Sequence, residues 1–387
     1  MWRGPGLAKA VFILAAFASV CELRAESDSL TNDLKLIPED NSFWKESMLW
    51  DKDVVLRAGF GYKDNVLLSP TAPQSSPFFT SGLDVTIFRL PLDGWEFNLS
   101  IVGDDVRYTR NPDGLKGEDL FLTSVQVQKY FSRVWRAGVE LRYSYIDQVL
   151  TEFLSAGGAQ AVEAKGQSLG FRPFVRRDLS TNWWVQVELP LAREWWQAPL
   201  DSLWKLGGQV VVGFNYSAHS HITLAGGGYY VPHEEWLARD AAGNELPGRK
   251  LALNRDIVEL KWEHHWDAAN RWSTVTRLGF NHARDNGGGF YNYYRYVATG
   301  EVRFHTADWE LKASAGFSYY DFPVQRVGPP PSPTLYLTTV DVNLRAERKI
   351  YKSVRCFAAF EFEQTTSDDP LSEYRYRIGT GGVSWEF

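Results

Sequence analysis

The chain is 387 residues long, carries a formal charge of −6 at pH 7 and has a sequence pI near 5.7, a balance that gives no electrostatic footing for nucleic-acid binding. Aromatic residues make up 15% of it and 16 residues are Trp, yet the mean hydropathy is only −0.30. Large apolar groups are abundant without forming long apolar blocks, which excludes membrane helices and asks for alternation of apolar and polar positions.

The first 25 residues read as a cleaved secretion signal. Arg3 and Lys9 give a positive start, Ala10 to Val20 form a short apolar run, and Leu23-Arg24-Ala25 ends in a small residue. Cys21 raises a lipoprotein alternative, but Val20 stands where a lipid-modification site wants Gly, Ala or Ser. Cys356 is then the mature chain's single thiol, so an internal disulfide is ruled out. Residues 26–52 are expected to form a short periplasmic extension, either a helix or a lumen insert.

Period-two alternation begins near Val54. There Val54, Leu56, Ala58, Phe60 and Tyr62 share one face, and Arg57, Gly59 and Gly61 the other. Further strands are expected at Ser81–Leu90, Trp95–Arg107, Leu120–Phe131, Val134–Ile146, Gln167–Asp178, Trp183–Leu191, Trp204–Tyr216, His221–Val231, Asp256–Trp266, Trp272–Ala283, Tyr294–His305, Trp309–Tyr320, Tyr336–Glu347, Val354–Glu363 and Tyr374–Phe387. That makes about 16 strands. Helical spacing fits none of them.

The connections alternate in length. Ser132-Arg133, Leu179 to Asn182, Ser217 to Ser220 and Thr306 to Asp308 are short, whereas Lys63 to Thr80, Asp147 to Gly166, Pro232 to Arg255 and Asp321 to Leu335 are long. Short turns at one rim and long loops at the other mark an up-and-down transmembrane barrel, with both termini on the short-turn, periplasmic side. A soluble sandwich or propeller also alternates. Its strands are usually about five or six residues long, and a propeller needs a sequence repeat of about 40 residues that this chain lacks.

Two stretches carry family resemblances. The last strand ends on Val383, Trp385 and Phe387 on one face, and it resembles the C-terminal assembly signal of Gram-negative outer-membrane proteins. That likeness implies recognition by the barrel-assembly machinery and a home among outer-membrane lipids and lipopolysaccharide. Gly59-Phe60-Gly61-Tyr62-Lys63-Asp64-Asn65-Val66-Leu67-Leu68-Ser69 resembles the first strand and turn of barrels linked to exopolysaccharide systems. No porin, usher or receptor subfamily is picked out. No plug of the TonB-dependent receptor kind is expected, since only Glu26 to Lys52 precedes the first strand.

Closure puts the apolar faces toward lipid, since backbone polar groups inside hydrocarbon must pair within the protein. The opposite, charged face is then expected to line a lumen wide enough for water. Its candidate lining residues are Arg57, Arg136, Glu140, Arg142, Arg172, Glu259, Lys261, Arg295, Glu301, Arg303, Asp341, Arg345 and Glu347. They form either a selective pore or a salt-bridged wall that stiffens the barrel. Both signs together argue against strong preference for one ion charge.

A search for catalytic groups finds little. His264 and His265 are neighbours on one strand and point to opposite faces, while His219 and His221 flank a turn with no clustered acid in sequence. His233-Glu234-Glu235 lacks the second histidine of a zinc-protease helix, and no nucleophile elbow or phosphate loop occurs. Asp104-Asp105 is the one acid pair near an outer rim that suggests a protease-like site. The expectation is therefore a non-enzymatic barrel without cofactor or metal, passing small solutes or saccharides. The alternative is a structural barrel tied to polysaccharide export with a blocked lumen. The oligomeric state is left open.

Overall fold

In the computed structural model, residues 50–91, 93–152, 160–328 and 332–387 are described. The signal segment 1–25 and residues 26–49 of the extension lie outside these. Seventeen strands follow in chain order: β1 (Trp50–Lys63), β2 (Ser76–Arg89), β3 (Trp95–Tyr108), β4 (Gly117–Tyr130), β5 (Trp135–Glu152), β6 (Gln160–Asp178), β7 (Trp183–Glu188), β8 (Leu191–Trp196), β9 (Leu203–Asn215), β10 (His221–Arg239), β11 (Glu245–His265), β12 (Trp272–Asp285), β13 (Tyr293–His305), β14 (Trp309–Arg326), β15 (Thr334–Tyr351), β16 (Val354–Ser367) and β17 (Tyr374–Glu386). β1 begins at Trp50, so residues 50–52 belong to the wall.

Apart from β7 and β8, each strand pairs antiparallel with its chain neighbours, and β1 pairs with β17 from Val55↔Glu386 to Lys63↔Ile378, which closes the sheet. β7 and β8 occupy one position, because both pair with β6 and β9. The break between them falls at Leu189-Pro190, beside Pro173 of β6, where two prolines have no N–H to give the ladder. The result is a 16-stranded antiparallel barrel.

The connections between β2 and β3 and between β4 and β5, together with residues 179–182, 216–220, 266–271, 306–308 and 352–353, make the turns of one rim. Several stretches expected to be long loops at the other rim are instead hairpin strand. β5 and β6 take in most of 147–166, β10 and β11 most of 232–255, and β14 and β15 most of 321–335. The apolar–polar alternation fades where these strands leave the bilayer, but backbone pairing needs no alternation and continues.

The outer face is the apolar one. Leu56, Phe60, Phe79, Leu141, Val210, Leu224, Leu260, Leu278, Val302 and Leu344 are all exposed on it. A contiguous belt of this kind suits lipid and is not met on soluble monomers. Its edges are aromatic. Trp50, Trp95, Trp135, Trp183, Trp272, Trp309 and Trp385 ring the turn rim, and Tyr62, Tyr230 and Tyr296 mark the loop rim. On β14 the outward residues Trp309 and Tyr319 lie ten positions apart, which at about 3.3 Å per residue and a tilt of about 40° spans roughly 25 Å, the height of a lipid-facing band. Four cations lie over turn-rim indoles, Arg89 on Trp50, Lys129 on Trp95, Arg177 on Trp135 and Arg348 on Trp309, at 4.6–6.0 Å.

Inside, near the loop rim, side chains form three buried apolar clusters. In one of them Val66 and Leu68, from the connection after β1, pack on Phe78, Tyr108, Leu115 and Tyr374. Asn65 anchors that connection by donating to the carbonyls of Ser69 and Arg375.

Candidate functional site in the barrel lumen

Alternate residues of a strand share a face, so the charges opposite the apolar belt meet inside the barrel. Most of them are paired. Arg57 reaches Asp84 and, at 2.9 Å, Asp104. Glu140 accepts from both Arg142 and Arg172, and Arg172 also holds Glu188 at 3.0 Å. Glu301 joins Arg303 and Lys312, Arg345 holds Glu347 at 2.6 Å, and Lys261 holds Glu263 at 2.9 Å. Arg136 donates to the Tyr130 hydroxyl and stands 3.7 Å from Asp178. Asp341 takes a hydrogen bond from Asn343 and is the register partner of Glu363, a second inward acid. The partnering matters because a buried charge without a counter-ion costs several kcal/mol.

A cavity of about 680 Å³ opens inside the wall on the β4–β14 side. Glu140, Arg142, Arg172, Glu194 and Lys205 give it ionic walls, while Leu203, Val231, Tyr293, Tyr320 and Phe322 make an apolar region toward the loop rim. Of the thirteen residues expected to line the lumen, Glu140, Arg142, Arg172, Glu259 and Arg295 border this cavity. The remaining eight lie elsewhere on the wall, most of them in the pairs above.

Three further residues near the loop rim were hidden in a stretch that reads as loop. Asp201 accepts from the backbone N–H groups of Glu235 and Trp236 at 3.0–3.1 Å and lies 3.3 Å from His233 Nδ1. His233 is buried against Trp236, and Arg255 borders the same cavity. No motif announces them, since their meeting depends on β10 and β11 continuing past the membrane.

Two readings of chemistry-bearing residues change. Asp104 points inward to Arg57, whereas Asp105 points outward, where Arg107 joins it to Asp119. Adjacent strand residues face opposite ways, so the two acids do not form a pair. His221 does have an acid, Glu263 at 3.7 Å, with His265 3.8 Å from the same carboxylate. It comes from β11, 42 positions further along, which local spacing does not reveal. Among the described residues no group of three His, Cys, Asp or Glu side chains is placed to hold a metal. Val383 and Trp385 face outward opposite Ala58 and Leu56, and Phe387 is 72% exposed at the turn rim.

No family model matches the chain, and no curated protein does. Among solved structures it is similar to Acinetobacter baumannii OccAB1, with 8% identity and a TM-score of 0.47 over 87% of this chain and 97% of that one. An anion-selective porin from Comamonas acidovorans gives 9% identity and 0.45 over 87% and 99%. A bacterial polysaccharide outer membrane secretin gives 9% and 0.39 over 86% and 98%. At such identities and scores these likenesses carry no argument about activity.

Proposed function

We propose that the protein is a passive outer-membrane channel for small solutes, with Arg57, Arg136, Glu140, Arg142, Arg172, Glu259, Lys261, Arg295, Glu301, Arg303, Asp341, Arg345 and Glu347 facing its water path. The observation that carries this reading is the contrast of faces: an apolar, aromatic-edged exterior around an interior of ion pairs and an internal cavity. So many ions are stable in a barrel only beside water or one another. Outer-membrane lipid and lipopolysaccharide are its surroundings in this reading, and Val383, Trp385 and Phe387 are its assembly signal.

The test is conductance. Purified barrel in a planar bilayer is expected to pass ions in discrete steps. A barrel that inserts but stays silent, also after shortening of residues 64–75, sinks the channel. One observation favours the second reading, a structural or export-linked barrel with a blocked lumen: Val66 and Leu68 tuck inward over the loop-end mouth. Silence in both forms would select it.

A further inference from the structure

Among the described residues, the pairing of the lumen wall lapses around Arg255 and Arg295. The side chain of Arg255 on β11 makes no hydrogen bond or ion pair among the described residues, and its Nε is shut off from solvent without a partner. Arg295 on β13 is 7% exposed and has only a long bond from its Nε to Ser318 Oγ, 3.5 Å, and the ring of Tyr320, 5.1 Å away. The two arginines flank β12, where Asn281 is the direct register partner of Arg295 and Ala283 that of Arg255. Two strand spacings and the two-residue offset amount to roughly 12 Å, within the joint reach of two arginine side chains. Both border the 680 Å³ cavity, as does Asn281.

Nearby acids do not answer this charge. Glu194 is taken by Lys205 at 2.5 Å and by the Trp196 indole N–H at 3.2 Å. Asp201 is taken by two backbone amides. Glu259 has no ion pair among the described residues but stands four residues from Arg255 along β11, roughly 13 Å at strand rise. Immediately on the loop-rim side the cavity turns apolar, with Val231, Tyr293 and Phe322. Unanswered guanidinium donors beside an apolar wall fit one kind of molecule: an anion with an apolar body, its charge held in a forked hydrogen bond and its body shielded from water.

We infer that Arg255 and Arg295, with Asn281, form a binding site inside the lumen for small organic anions that carry an apolar or aromatic group, with carboxylates as the closest match to the guanidinium fork. This deepens the channel reading and rests on it for its purpose, since the site would lie on the solute path. Binding itself needs no conduction.

Calorimetric titration of the detergent-folded barrel with benzoate tests it, alongside benzyl alcohol and acetate. Saturable benzoate binding is expected, at least tenfold tighter than that of either comparison ligand. The double variant R255Q/R295Q should weaken it tenfold or more while keeping the gel mobility of the folded barrel. R271Q, in the turn after β11, should bind as the parent does. No saturable benzoate binding, equal binding of benzyl alcohol, parental binding by R255Q/R295Q, or loss in R271Q would each overturn the site. Conductance of the same preparations separates the two claims. Binding without steps keeps the site and removes the channel, and steps without binding do the reverse.

Discussion

Arg57 on β1 reaches Asp104 on β3 across an intervening strand, with 2.9 Å between Nη2 and Oδ1. The residue between them is Gly82, register partner of both. A Cβ at Gly82 would stand 2.7 Å from Asp104 Oδ1 and 2.8 Å from Arg57 Nη2, so the missing side chain is what lets the bridge form.

Gly82→Val is therefore expected to push Arg57 off Asp104 and to destabilise the barrel by about 1–3 kcal/mol, the usual cost of overpacking. Urea unfolding in detergent measures it. Because the cost lies in the bridge, Asp104→Asn should cost less in the G82V background than in the parent. Additive losses would mean that Gly82 has no part in the pairing.

How far the sequence foretells this depends on the type of contact. Charges two apart on one strand necessarily share a face, so Glu140 with Arg142, Glu301 with Arg303 and Arg345 with Glu347 are legible as pairs as soon as the strands are recognised. The belt, the girdles and the rim turns follow from the same alternation. Contacts fixed by register are different. Arg172 meets Glu140, and Glu263 meets His221, only through pairings set along whole strands. Harder still are His233 and Arg255, which sit where the alternation fades and a strand looks like a loop, and Asp201, which meets His233 from the connection between β8 and β9.

The wall's charges should set ion preference if water fills the lumen. Changing Glu140, Glu301 and Glu347 together to Gln removes the carboxylates that pair with Arg142, Arg303, Lys312 and Arg345 and one of those that pair with Arg172. The reversal potential in a salt gradient should shift toward anions. Val340, Val342 and Leu344 face outward on the strand that carries Arg345. Changing these three to Ala should cost stability, about 0.8 kcal/mol per buried methylene removed at most, and leave the reversal potential where it was. A potential that moves with the outward set would place the ion path elsewhere.

Rim architecture predicts orientation. A protease site inserted between Gly243 and Asn244, in the turn joining β10 and β11, is expected to be cut on intact cells. One at Ser132-Arg133, between β4 and β5, should be protected until the outer membrane is opened. The opposite pattern of cleavage would turn the barrel over.

The last prediction concerns acid. His233 lies on β10 three residues beyond the rim residue Tyr230, is 5% exposed, and stacks on Trp236 with ring centroids 5.3 Å apart and planes 3° from parallel. Burial pushes its imidazole from 6.5 down to about 4, a shift that nearby Asp201 opposes and Arg255 reinforces. The unfolded chain takes up this proton near its ordinary pKa of about 6.5, whereas the folded protein takes it up only near 4. Between those values the unfolded state binds more protons, so stability is full above the window and declines as pH falls through it, by a loss on the order of 1–3 kcal/mol. Thermal midpoints of the detergent-folded barrel at several pH values across this range check the sign. The parent should lose more on acidification than His233→Phe, which keeps a flat ring against Trp236 but has no proton to accept. Parallel losses in the two would assign the acid sensitivity to other groups and leave His233 a packing residue only.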